Sequence, residues 1–198
     1  MRALGADSLT LSAHKLGGPQ GVGALVFKEG VSGVRILHGA GQERGLRAGT
    51  ENGPGIAGFG VAAVCAARDL ETVASHAAWR DAAQARVKAA GATIIGEGAD
   101  RLPNTLFLAV EGWDSPQQLI TLDLAGIMVS AGSACSSGKV KPSKTISAMG
   151  LNRLATGGVR VSGGWGTTEG DWARFADAWV DAWTKHKARA AARVREVA

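Results

Sequence analysis

From residue 92 to residue 168, short apolar runs alternate with helical patterns, and that alternation admits few architectures besides an α/β layer. Residues 92–95, 105–110, 127–129 and 159–162 read as strands. Between the second and third runs, Ser115-Pro116-Gln117-Gln118 offers a capping hydroxyl, a proline at the first helical position and a glutamine three residues after the cap. A helix starting there should end at Gly126. A last helix follows Thr168, where Trp172, Phe175, Trp179, Val180 and Trp183 recur at helical spacing. Such an aromatic stripe is a core face.

Ahead of residue 92 the pattern differs. Residues 9–12 form a strand that runs into a turn-rich loop, and residues 23–27 form a second. The glycine-rich stretch 38–53 carries Glu43, Arg44 and Arg47, and loops of that length are more often functional than idle. Pro54 opens an Ala-rich helix to about residue 70, and a second helix spans about 73–90 before Gly91. The chain thus divides into residues 1–90 and a compact α/β domain over 91–198.

Composition narrows the class. Glycine is about twice its usual share, 29 of 198 residues, with no G-X-Y period, and an apolar content of 45% excludes wholesale disorder. The net charge of +5 is concentrated at the end, where Lys185, Lys187, Arg189, Arg193 and Arg195 face Glu196. The rest is nearly neutral, so no nucleic-acid partner is implied. No run approaches the ~20 apolar residues of a membrane span, and the first residues lack a signal-peptide core. A reduced, cytoplasmic setting is expected. The two cysteines suggest neither a disulfide framework nor a metal site. Cys65 lies in an Ala/Val run, whereas Cys135 lies among Ser133, Ser136 and Ser137, with Lys139 and Lys141 nearby to favour the thiolate.

Three further segments carry chemistry. In Ser12-Ala13-His14-Lys15, a chain extended through His14 would turn Ser12 and His14 to one face and Lys15 to the other. A hydroxyl and an imidazole can donate to a phosphate, and a lysine beside them can form an imine with an aldehyde. In Gly41-Gln42-Glu43-Arg44-Gly45-Leu46-Arg47-Ala48-Gly49-Thr50-Glu51, two arginines and a threonine among glycines suit an anion near the backbone. Arg160, in the last strand, suits a substrate carboxylate or a surface ion pair.

Taken together these blocks resemble a known family. Leu11-Ser12-Ala13-His14-Lys15-Leu16-Gly17-Gly18-Pro19-Gln20-Gly21-Val22-Gly23 resembles the pyridoxal-phosphate lysine segment of cysteine desulfurases, in the class V aminotransferase superfamily. Residues 38–52 resemble that family's next block. Ser130-Ala131-Gly132-Ser133-Ala134-Cys135-Ser136-Ser137-Gly138 is similar to the cysteine loop of its NifS/IscS-like branch, and Arg160-Val161-Ser162 with Trp165-Gly166-Thr167-Thr168-Glu169 to its closing motif. The blocks occur in family order.

The resemblance implies the C-terminal part of a fold-type I pyridoxal-phosphate-dependent transferase: a remnant of the large cofactor domain, then a complete small α/β domain. It implies that Lys15 binds pyridoxal 5'-phosphate covalently, that Ser12 and His14 bind its phosphate, and that Thr50 reaches the partner's phosphate in a homodimer. Arg160 would hold the carboxylate of L-cysteine. Cys135 would take the sulfur as a persulfide, releasing alanine, for a sulfur-acceptor protein in iron–sulfur or other sulfur-transfer pathways. Ala40 and Ala48 depart from the family's glycine and serine, and Thr145-Ile146-Ser147 and Gly157-Gly158 are unusual without an assigned role. The family's ring-stacking imidazole and pyridine-pairing acid have no convincing counterpart, Asp7 being the sole candidate acid near the front. The expectation is a chain inactive alone, with bare strand edges near Leu9 and Leu25. A non-enzymatic persulfide carrier, another class V aminotransferase and a selenocysteine lyase are the alternatives.

Overall fold

In the computed structural model, which describes residues 1–131 and 142–197, the chain forms two compact units, Met1–Leu70 and Glu71–Ala198. In the first, β1 (Ser8–Ser12) and β2 (Gly23–Phe27) pair antiparallel, from Ser8 opposite Phe27 to Ser12 opposite Gly23. Position 23 admits no side chain, because a Cβ there would lie 2.5 Å from the Leu11 carbonyl oxygen. Among the described residues these two strands pair only with each other. Helix α1 (Gly53–Arg68) starts with Pro54 in its first turn and with the Asn52 side chain accepting the Gly55 N–H at 3.1 Å, which satisfies one of the donors left free at a helix start.

Helix α2 spans Leu70–Ala89. Gly91, at φ +108°, ends it: the Ala92 N–H donates to the Val87 carbonyl at 3.0 Å and the Gly91 N–H to Lys88 at 2.9 Å. The sequence reading sets the division at residue 90, but the compact units part at Leu70. The reason is burial: Ala83 and Val87 of α2 lie in the core of the second unit.

That unit is built on β3 (Thr93–Ile94), β4 (Thr105–Ala109), β5 (Ser130–Ala131) and β6 (Gly158–Ser162). They form one antiparallel sheet in the order β3-β4-β6-β5. Helices α3 (Ser115–Leu124), α4 (Lys144–Ala148) and α5 (Glu169–Val197) complete it. Alternation along the strands sends Leu106, Leu108, Val159 and Val161 into one core, which Trp172, Phe175 and Trp179 of α5 fill. Ala109 turns to the opposite face and joins Ile95, Ile146 and Ala155 in a second cluster, with Phe107 packed against it. The aromatic stripe is the core face expected of it.

Two local expectations shift. The residue preceding α3 is Asp114, with no side-chain cap bond; Ser115 is already helical, and its N–H donates to the Thr156 carbonyl at 2.8 Å. Residues 127–129 are not a strand. Ile127 instead closes the end of α3, its N–H bonded to the Leu122 carbonyl at 2.9 Å beside Gly126 at φ +74°, and pairing begins only at Ser130. Among the described residues no helix is long and apolar enough to cross a membrane.

Candidate active site

The lysine segment is organised by the residue that carries no chemistry. Ala13 is fully buried; its N–H donates to the Val22 carbonyl at 3.1 Å, and its carbonyl accepts from Leu16 at 3.0 Å and Gly18 at 2.9 Å. Strand β1 ends at Ser12, and Ala13–Lys15 is a single 3-10 turn. The two-face alternation expected for an extended chain therefore does not apply beyond Ser12, because the Ala13 turn replaces it. Ser12, His14 and Lys15 are all exposed around the buried Ala13.

The following glycines let the chain fold back closely. Gly17 adopts φ +86°, and a Cβ at Gly18 would lie 3.0 Å from the Ala13 Cβ and 3.2 Å from the Ala62 Cβ. Pro19 sits where a Cβ at Gly58 would lie 2.7 Å from its ring. The lysine turn is thus seated on α1.

Thr50 belongs to a second loop. Residues Leu37 and Arg47 form a parallel bridge, the Arg47 guanidinium donates to the Gly49 carbonyl at 3.2 Å, and the Arg35 guanidinium donates to the Gly45 carbonyl. Glu43 and Arg44 both have positive φ, 49° and 56°. Consecutive side-chain-bearing residues in that region are costly and concentrate in binding loops. No hydrogen bond joins Thr50 to Ser12, His14 or Lys15 among the described residues.

Arg160 stands in the middle of β6, opposite Phe107 on β4 and Ser130 on β5, on the face away from the aromatic core. Its side chain is exposed, and among the described residues it makes no ion pair. The guanidinium fork is free to receive a carboxylate. Cys135 and its neighbours Lys139 and Lys141 lie outside the described residues. Cys65, half-buried on α1, is the free thiol among the described residues.

Ser12 at the end of β1 and His14 and Lys15 on the turn after it present an exposed hydroxyl, imidazole and primary amine within four residues, donors of the kind that a phosphorylated aldehyde takes. The fold is part of a fold-type I transferase fold. The chain belongs to the class-V aminotransferases, whose family model, Aminotransferase class-V, matches residues 1–175. It is similar to cysteine desulfurases. That of Rhodobacter capsulatus is 44% identical over 155 residues, 77% of this chain and 40% of the relative. That of Gluconacetobacter diazotrophicus is 39% identical over 175 residues, 86% of this chain and 44% of the relative. Among solved structures, a NifS-like protein superposes with a TM-score of 0.79 at 33% identity, covering 91% of this chain and 47% of that one. A NifS-like protein from Rickettsia africae gives 0.79 at 30%, covering 92% and 49%. The chain spans less than half the length of these relatives.

Two buried polar residues escaped the sequence reading. His76 and Gln118 are both fully buried, and each accepts an indole N–H from α5. Their signal is a polar residue at an inward helical position, which is visible only once the facing elements are known.

Proposed function

We propose that this chain carries the lysine, the carboxylate-binding arginine and the sulfur-accepting cysteine of a pyridoxal-phosphate-dependent cysteine desulfurase. The observation that carries this reading is the 3-10 turn Ala13–Lys15, which exposes His14 and Lys15 around a buried alanine directly after Ser12. Ser12 and His14 would hold the cofactor phosphate, Lys15 would hold the cofactor covalently through Nζ, and Thr50 would contribute its hydroxyl to a phosphate across a homodimer. When bound, the cofactor supplies the electron sink on which the bond changes of the substrate depend.

Arg160 orients L-cysteine by its carboxylate. The Cys135 thiolate then forms an S–S bond with the substrate sulfur as the substrate Cβ–S bond breaks. The electron pair stays with the carbon skeleton, which takes up a proton and leaves as alanine. The sulfur, oxidised in the transfer, remains on Cys135 as a persulfide for a cytoplasmic acceptor protein, with iron–sulfur assembly as one destination. The relatives named above support this reading.

Borohydride reduction of protein incubated with the cofactor, followed by peptide mapping, tests the first half: the label belongs on Lys15, and label spread over Lys139 or Lys141 contradicts it. Alanine release from L-cysteine by the chain mixed with the N-terminal half of a relative tests the second, since the chain alone is expected to be inactive. Cys135→Ser should bring alanine and persulfide to background while leaving the label on Lys15, because the thiol acts after cofactor and substrate are bound. Persulfide on Cys65 would overturn the assignment of Cys135.

A further inference from the structure

Strand β6 is held at both ends by a matched pair of devices, and Arg160 lies midway between them. At the leading end, the buried Gln118 amide donates to the Trp113 carbonyl at 2.8 Å and the Gly157 carbonyl at 2.9 Å, and its oxygen accepts the Trp179 indole N–H at 3.0 Å. All three contacts are buried, so each is strong and costly to leave unmade. Gly157 sits so close that a Cβ there would lie 2.1 Å from the Val110 carbonyl oxygen.

At the trailing end, Asn104 grips Gly163 twice: its backbone carbonyl accepts the Gly163 N–H at 2.9 Å, and its side-chain amide donates to the Gly163 carbonyl at 2.6 Å. The buried His76 ring closes the remaining side, where a Cβ on Gly163 would meet Nδ1 at 2.6 Å. That same Nδ1 accepts the Trp172 indole N–H at 3.3 Å. The two tryptophans are one heptad apart on α5, about 10 Å along its axis. A single rigid helix therefore references both ends of the strand, through one side chain from α2 and one from α3.

We infer that Gln118 and His76 are positioning residues for Arg160, fixing β6 lengthwise so that the guanidinium is presented at a set point on the outer face of the sheet. Burial alone does not require this arrangement. An apolar side chain at either position would fill the core, whereas the Gln118 amide ties the Gly157 carbonyl to α5 by hydrogen bonds and the His76 imidazole, bonded to α5 through Trp172, packs directly against Gly163. Arg160 has no partner of its own among the described residues to fix it, so its placement depends on the strand that carries it. The inference rests on the assignment of Arg160 as the carboxylate ligand.

The test uses the full chain labelled with nitrogen-15. Gln118→Met and His76→Ala should each raise amide exchange of residues 159–162 by about tenfold or more and lower the order of the Arg160 Nε–Hε group. The control is Ile94→Ala, which removes core volume in β3, a strand that does not pair with β6. Exchange in β6 that rises no more than in that control would overturn the inference. Should Gln118→Met fail to fold, Gly163→Ala decides: it should perturb the Arg160 resonances in the parent and do so much less in the His76→Ala background. Equal perturbation in both would equally overturn it. In the L-cysteine assay of the chain mixed with the N-terminal half of a relative, the positioning variants should raise KM with kcat within about twofold, since the lost interaction is one of ground-state and transition-state binding alike. Failure of the carboxylate assignment is read separately: Arg160→Lys would then leave KM unmoved, while the loosening of β6 would still be measured.

Discussion

His76 is neutral in the folded chain because of where it sits. Its Nδ1 accepts an indole proton, so the ring's own proton is on Nε2, a buried atom with no hydrogen-bond partner. Burial pushes the imidazole below its ordinary value of 6.5. The unfolded chain therefore takes up a proton as pH falls through 6.5, and the folded chain does not until the lowered value is reached. The sign follows: this residue's contribution is fully present above pH 6.5 and is lost progressively below it. Thermal melts between pH 8 and pH 5 should show stability falling on the acid side, with a shallower slope in His76→Phe. An unchanged slope in that variant would assign the acid loss to other groups. The same residue scale explains a pair of glycines that the sequence left without a role. Gly157 abuts the Val110 carbonyl, and a Cβ on Gly158 would lie 2.7 Å from the Ile146 side chain and 3.1 Å from Phe107. Both are needed so that β6 can pass between neighbours that leave no room for a side chain.

At the scale of elements, α5 is the member on which the second unit is assembled. Its start is a reciprocal cap: the Asp171 carboxylate accepts the Thr168 N–H at 3.0 Å and its hydroxyl at 2.8 Å, and Thr168 accepts the Asp171 N–H at 3.3 Å. Thr168→Ala should cost about 1 kcal/mol, measurable by urea unfolding followed by tryptophan fluorescence. The Thr168 donors hold the Asp171 carboxyl below its usual 3.8, so the cap's electrostatic part is present above that pH and lost as pH falls through the lowered value. The difference between Thr168→Ala and the parent should accordingly narrow in strong acid. A gap that widens there would show that the carboxylate plays no part in the cap.

How far the elements were legible depended on how local their cause was. The α5 stripe and the Gly91 and Gly126 stops are encoded within a few residues, and the helices they bound are found there. The apolar run 127–129 misleads because Ile127 serves the end of α3 while Met128 stays 90% exposed, so composition without pairing looks like a strand. The Ser12–Lys15 motif was readable as chemistry but not as geometry. Whether the chain stays extended past Ser12 is decided by the Ala13 N–H finding the Val22 carbonyl, nine residues away. His76 and Gln118 were invisible for the same reason carried further, since their partners lie 96 and 61 residues distant on α5.

The whole molecule is uneven in what holds it together. In the first unit the buried apolar side chains are Ala13 and Ala62, whereas Leu25 is 56%, Ile36 84% and Val34 85% exposed. Among the described residues its strands form a hairpin that pairs with no other strand, an arrangement only marginally stable in water. The second unit buries Trp113, Trp172, Phe175 and Trp179 against one face of a four-stranded sheet and a smaller apolar cluster on the other. Burying each such side chain contributes about 1.5–3 kcal/mol, and removing Trp179 to Ala should cost about 3–5 kcal/mol. All six tryptophans lie beyond residue 70, so indole fluorescence reports the second unit alone. Hydrogen exchange read by mass spectrometry on the intact chain should therefore find peptides covering 8–27 exchanging roughly 100-fold faster or more than those covering 105–109 and 158–162. Mild denaturant should extend that difference, opening the hairpin while tryptophan emission stays native. Hairpin amides as protected as those of β4, or emission that shifts together with hairpin opening, would mean that the two units unfold as one and that the hairpin gains its stability from contacts other than its own.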